Sequence, residues 1–159
     1  MSEPIIDELD RKIIQMIAQD ARIPFLEVAR ACNVSGAAIH QRIQRMQKLG
    51  VIRGTQFIFD PRALGYQACA FVGISLSDPT RYAKAEEILK NIPEVVECHY
   101  TTGEYDIMVK IYAFNNQELH KIIREKIQPI GLSKLETIIS FDSFINRSLS
   151  INEMEEEDD

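Results

Sequence analysis

Between Val34 and Ile52 the chain reads VSGAAIHQRIQRMQKLGVI, a stretch rich in Gln, Arg, His and Lys that contains no carboxylate. On a helix turning about 100° per residue, Ile39, Ile43 and Met46 share one side. Ala37, His40, Gln41, Gln44 and Lys48 fall opposite, with Arg45 at the edge and Arg42 nearer the core boundary. Gln and Arg make paired hydrogen bonds to base edges and His makes single ones. Arg45, Lys48 and Arg53 carry charge suited to phosphates. The small pair Gly36-Ala37 would permit close approach. Such a helix, about 20 Å long at ~1.5 Å per residue, fits a B-DNA major groove ~12 Å wide. A carboxylate on that face would repel a phosphate backbone. The pattern points to double-stranded DNA as partner. The bland alternative is the solvated side of an ordinary helix.

The totals sharpen the contrast. The chain has 159 residues and a formal net charge of −6. That charge is not spread evenly, because the final INEMEEEDD supplies six acids and no base. Between Glu27 and Asp60, by contrast, lie Arg30, Arg42, Arg45, Lys48 and Arg53 with no acid. A local basic patch thus sits in a chain whose acidity belongs to its end. No apolar run approaches the ~18 residues of a membrane span, and the acidic start lacks a signal-peptide layout, so a cytoplasmic location is expected. Cys32, Cys69 and Cys98 are too scattered for a disulfide framework or a zinc site, and are expected as buried reduced thiols. No metal or cofactor is expected.

Elements that would hold the basic helix in place are legible around it. Asp7 is suited to cap a helix from Glu8 to about Ala21, with Asp10 favouring its N-terminal dipole. Ile6, Leu9, Ile13, Met16 and Ile17 form its apolar stripe. A second helix follows Pro24, with Phe25, Val28, Ala29 and Cys32 inward. Asn33-Val34 makes a turn, Ser35 caps the third helix, and Gly50 stops it. This is a helix-turn-helix layout over residues 1–52. Residues 53–66 form a linker, with Thr55 to Phe59 expected as a strand.

After Gly65 the pattern changes. Strands are expected at Ala68 to Leu76, Val95 to Thr101, Tyr105 to Tyr112 and Leu135 to Phe144. Helices are expected after Asp78-Pro79 and after an Asn115–Glu118 capping box. Residues 67–150 therefore read as a ferredoxin-like β-α-β-β-α-β domain, followed by an acidic, disordered tail at 151–159. The fold class is α+β. The first strand is apolar on both faces, and two helices cover only one face of a four-stranded sheet. The other face needs a partner sheet, so a homodimer at least is expected.

These residues resemble the Lrp/AsnC family of transcription regulators from about Ile6 to Ile151. LDRKIIQMIAQDARI resembles its opening helix, Ser35 to Gly54 its recognition helix, and TTGEYDIMVK, Thr101 to Lys110, its Gly-acid-aromatic-Asp turn. The resemblance implies a helix-turn-helix, winged or plain, that contacts DNA and is joined to an effector-binding ferredoxin-like domain. It also implies dimers assembling further, commonly to an octamer, and a small-molecule effector, usually an amino acid, bound between dimers. Carried over to this chain, Asp106 would hold the effector's ammonium. Backbone groups around Tyr100, Thr102, Gly103 and Glu104 would hold its carboxylate, and Leu135 and Thr137 would face it. A turn with exposed N–H groups beside a carboxylate suits a zwitterion. It is equally the make-up of a plain hairpin.

Two other functions share this architecture. Some tetrapyrrole decarboxylases resemble it, with His99 and His120 available here, so fold alone does not decide function. The other is an effector-binding assembly hub that no longer reads DNA. No paired carboxylates, nucleophile-His set or phosphate-binding glycine loop supports an enzyme, and none is expected.

Overall fold

A computed structural model describes residues 5–147 and 149. Its chain divides into two compact units, one containing residues 5–57 and the other residues 58–145.

The first unit holds three helices: α1 (Glu8–Gln19), α2 (Phe25–Cys32) and α3 (Gly36–Lys48). Asp7 caps α1 through a full capping box: the Asp10 amide donates to the Asp7 carboxylate at 2.8 Å, and the Asp7 amide donates back to Asp10 at 3.1 Å. α1 ends at Gln19, short of Ala21, because Asp20 turns extended and its carboxylate takes the Arg22 amide at 2.8 Å. Asn33 stands in the left-handed region with φ 55°, and this reverses the chain between α2 and α3. The Ser35 hydroxyl then accepts the Ala38 amide at 3.1 Å, opening α3. Ile13, Val28, Ala29, Ile39, Ile43 and Met46 form the shared core, with Leu9, Met16, Ile17 and Cys32 packed partly against it. Phe25, expected inside, is exposed and tilts against the His40 ring at 6.1 Å. A first-turn position on a helix of 8 residues leaves it at the rim of a small core.

The linker differs from expectation. Residues 53–60 form no strand; Phe57, Ile58 and Phe59 lie exposed. A strand needs a neighbour to complete its ladder, and among the described residues no segment pairs with this one. The helix-turn-helix is therefore the plain form, without a strand wing among the described residues.

In the second unit, β1 (Ala68–Leu76), β2 (Val95–Tyr100), β3 (Ile107–Ala113) and β4 (Leu132–Ser140) build one antiparallel sheet in the order β2-β3-β1-β4. α4 (Tyr82–Lys90) follows a short 3₁₀ turn at Pro79–Arg81. α5 (Asn116–Ile122) widens into a π-helical turn at Ile123–Ile127 before Pro129. This is the expected β-α-β-β-α-β order. Of the capping box at α5, Asn115 accepts the Glu118 amide as expected, but the Glu118 carboxylate takes the Phe114 amide instead of the Asn115 one.

β4 starts and ends earlier than the expected Leu135 to Phe144. Its register runs from Leu132 opposite Leu76 to Ser140 opposite Cys69, and β1 supplies no further partner beyond Ala68. The helices bury Ala70, Val72 and Ile74 of β1 with Ile107, Val109 and Ile111 of β3. The other sheet face carries Phe71, Lys110, Tyr112 and Ile138 and stays uncovered by the chain's own helices. Cys98 is exposed because β2 is an edge strand, and Cys32 and Cys69 are half-buried, so none of the three is the fully buried thiol expected. The acidic segment 151–159 lies outside the described residues.

Candidate functional site

The packing of the first unit turns α3 so that Ala37, His40, Gln41, Gln44 and Lys48 are exposed while Ile39, Ile43 and Met46 are buried. Ser35 and Arg53 are exposed as well. Gln44 and His40, one turn apart, lie side by side with Nε2 to Nε2 at 3.1 Å. A Cβ added to Gly36 would meet no atom within 4 Å, so the chain's own packing does not demand a glycine there. The result is an open surface of hydrogen-bonding side chains with one lysine at its C-terminal end.

Arg42 and Arg45 lie differently. Arg42 bonds the carboxylates of Asp7 and, at 3.1 Å, Asp10. Arg45 places one nitrogen 3.0 Å from Asp10 and donates the other to the Ile5 carbonyl at 3.0 Å. Asp10 is wholly buried. The Arg42 guanidinium holds the Asp7 carboxyl below the usual carboxylate range, and Asp7 in return raises Arg42. Both arginines thus belong to a flank that α3 shares with the start of α1. Sequence reasoning assigned Asp10 to the helix dipole and missed this role. The signal was its position, four residues after Ile6 and three before Ile13, within the apolar stripe.

The second candidate site is the β2–β3 turn. Gly103 has φ 109°, a left-handed conformation that favours glycine, and the turn there is exposed. The Thr101 hydroxyl donates to the Tyr105 carbonyl at 2.7 Å, and the Thr101 amide to the Asp106 carbonyl at 3.0 Å. Thr102 is exposed, and Glu104 forms an ion pair with Lys134 of β4. Asp106 is half-buried and accepts the Leu76 amide at 2.8 Å. The nearby Asp106 carboxylate also raises the Tyr82 phenol. Tyr82 packs edge-on against Tyr100 at 5.3 Å, and Tyr100 donates to Glu86 at 3.0 Å. Sequence reasoning did not single out Tyr82 or Glu86, which come from α4 and meet the hairpin only once the chain folds.

Leu135 and Thr137 sit on β4, across β1 from the turn. Leu135 pairs with Ile74 and packs against the core, while Thr137 pairs with Val72 and is exposed. The fold therefore gathers Tyr100, Thr102, Gly103, Glu104 and Asp106 closely, with Leu135 and Thr137 one strand further away. His99 lies 3.6 Å from Glu97 on β2, and His120 belongs to α5. Among the described residues no cluster of three or more His, Cys, Asp or Glu is placed to hold a metal ion. Among them, too, no helix is long and apolar enough to cross a membrane.

Both units have counterparts in known proteins. Residues 6–47 match the AsnC-type helix-turn-helix domain, and residues 69–149 match the Lrp/AsnC ligand binding domain. The chain is 41% identical over 145 residues to the regulatory protein AsnC of Haemophilus influenzae, covering 91% of this chain and 97% of that one. The structure of Escherichia coli AsnC superimposes with a TM-score of 0.85 at 34% identity, covering 91% of this chain and 97% of that chain. The transcriptional regulator NMB0573 of Neisseria meningitidis, solved as a complex with L-Met, shares the fold with a TM-score of 0.84 at 18% identity, covering 92% and 97%. These relatives are regulators, not enzymes. With both domains matched in order across nearly its whole length, the chain belongs to the Lrp/AsnC family of DNA-binding transcription regulators.

Proposed function

We propose that this regulator reads a specific duplex sequence through α3 and responds to an amino acid held beside the Gly103 turn. The observation that carries the first half is the exposed, acid-free side of α3, where the exposure of Gln41, Gln44 and Lys48 supports base contacts by the two glutamines and a phosphate contact by the lysine. The second half rests on Asp106, a half-buried carboxylate beside the exposed turn of Thr102, Gly103 and Glu104. A zwitterion needs both charges answered within a few ångströms. The relative from Neisseria meningitidis that binds L-Met supports the same ligand class for this chain.

Assembly completes the reading. The open sheet face joins two copies, and dimers assemble further, to an octamer in the form most consistent with the family. The protein then works in the cytoplasm, where the duplex and a free amino-acid pool meet. A thermal-shift screen of the twenty amino acids, repeated with promoter DNA present, tests the whole proposal. One or a few amino acids raise the melting temperature, and DNA changes the size of that rise through linkage. No shift with any of them would remove the amino-acid effector while leaving DNA binding in place.

A further inference from the structure

We infer that Asp7 and Asp10 withhold Arg42 and Arg45 from DNA phosphates and so set how much of the affinity is independent of sequence. The inference rests on α3 being the DNA-contacting helix. Its basis is the allocation of hydrogen bonds at the α1–α3 flank. Asp10 is wholly buried, and both its oxygens are engaged: Oδ1 takes Arg42 at 3.1 Å, and Oδ2 takes Arg45 at 3.0 Å and the Asp7 amide at 3.1 Å. Arg45 spends its other terminal nitrogen on the Ile5 carbonyl. Arg42 is shared between Asp10 and Asp7.

Pulling either arginine out to a phosphate would leave a buried carboxylate short of its partner. That cost exceeds what one more contact in high-dielectric solvent returns. The flank is also electrically neutral, two guanidiniums against two carboxylates, so within a Debye length of roughly 8–10 Å it adds little field. Of the three cations on α3, only Lys48 is left facing outward outside this network. Base reading then falls to uncharged Gln41 and Gln44, together with His40. Fewer phosphate contacts mean weaker binding to arbitrary DNA, and the sequence-dependent contacts make up a larger share of what remains. Asp7 and Asp10 are positioning residues in this scheme. They touch no nucleic acid and act through the two arginines.

The test is the salt dependence of full-length protein binding to a random-sequence duplex, by fluorescence anisotropy, for four proteins. Lys48→Ala lowers the slope of log K against log salt by about 0.9, one phosphate contact, which checks the DNA-contacting helix itself. Arg45→Gln removes no phosphate contact but leaves the flank with one net negative charge, and lowers the slope by clearly less than Lys48→Ala does. Asp7→Asn keeps a good N-cap but leaves the flank with one net positive charge, and steepens the slope by up to ~0.9. Between about 50 and about 200 mM salt that steepening is an extra loss of up to about 3.5-fold. A drop with Arg45→Gln equal to that with Lys48→Ala would overturn the inference while leaving the α3 reading intact. So would an unchanged slope in Asp7→Asn, which does not depend on the buried Asp10 surviving a change of partner. Unchanged slopes for Lys48→Ala and Arg45→Gln alike would sink the α3 reading and this inference with it.

Discussion

At the scale of single residues, α3 and the Gly103 turn ask different things of their side chains. Gln44 is exposed and carries no charge, so in the proposed reading its contribution to DNA binding would be to choose between bases. Gln44→Ala should cost roughly 1–3 kcal/mol at the preferred site and far less on random DNA. Equal losses on the two would assign Gln44 to general adhesion. Asp106 has the opposite character, a charge already bonded to the Leu76 amide. Asp106→Asn keeps an acceptor for the Leu76 amide and removes only the charge. A charge-assisted bond of roughly 1.5–3 kcal/mol should then be lost, which weakens amino-acid binding by roughly ten- to a hundredfold in calorimetry. Binding at full strength would place the ammonium elsewhere.

At the scale of elements, what holds α3 in place was only partly legible. Hydrophobic period and capping residues marked α1, α2, α3, β1 and the two later helices, because those signals are local. Ser35 is such a signal, and Ser35→Ala should destabilise the first unit by about 1 kcal/mol, read as a lower melting temperature. The Asp10–Arg42–Arg45 network joins residues more than thirty positions apart, which no local pattern reports. Separation along the chain likewise hid Tyr82 from the hairpin it packs against. The ends of β4 are set by how far β1 extends beside it, again a non-local fact. The flank also carries a pH dependence. Its folded-state Asp7 lies below the ordinary carboxylate value, so its contribution is fully present above about pH 3.9 and is lost as pH falls through the lower, folded value. Thermal melts of the chain should therefore show the helix-turn-helix weakening below about pH 4, and Asp7→Asn should soften that fall. Because Asp7 is half exposed, the effect is small beside loss of the core.

At the scale of the molecule, the sheet face that the helices leave open is where the proposed pairing of copies would bring two helix-turn-helix units to one operator. Phe71 on β1 stands opposite Ile138 on β4, and both are partly exposed on that face. Lys110 would be an awkward guest among them, but it is already neutralised by Glu97 at 3.1 Å and lies over the rings of Phe71 and Tyr112 at 5.7 and 5.6 Å. Burial pulls its ammonium down, yet the Glu97 hydrogen bond raises it on balance, so the charge enters an interface paired. Gly73 completes the surface: a Cβ there would come within 2.7 Å of the Tyr105 ring, which lies across it. A face of this kind, with Phe71, Tyr112 and Ile138 beside charged Glu136 and Lys134 and with the half-buried Lys110 already paired, suits a second copy of itself. Phe71→Glu should leave each chain folded, since the residue is at the surface of the single chain, and should convert the oligomer to monomers by light scattering at micromolar concentration. Because paired heads contact half-sites ~34 Å apart or multiples of that, the same substitution should abolish the advantage of a two-half-site duplex over a single half-site. If Phe71→Glu remained dimeric, the association would run through another exposed apolar segment, such as Phe57, Ile58 and Phe59 of the linker. Charges placed there would then separate the copies, and the sheet face would need another partner.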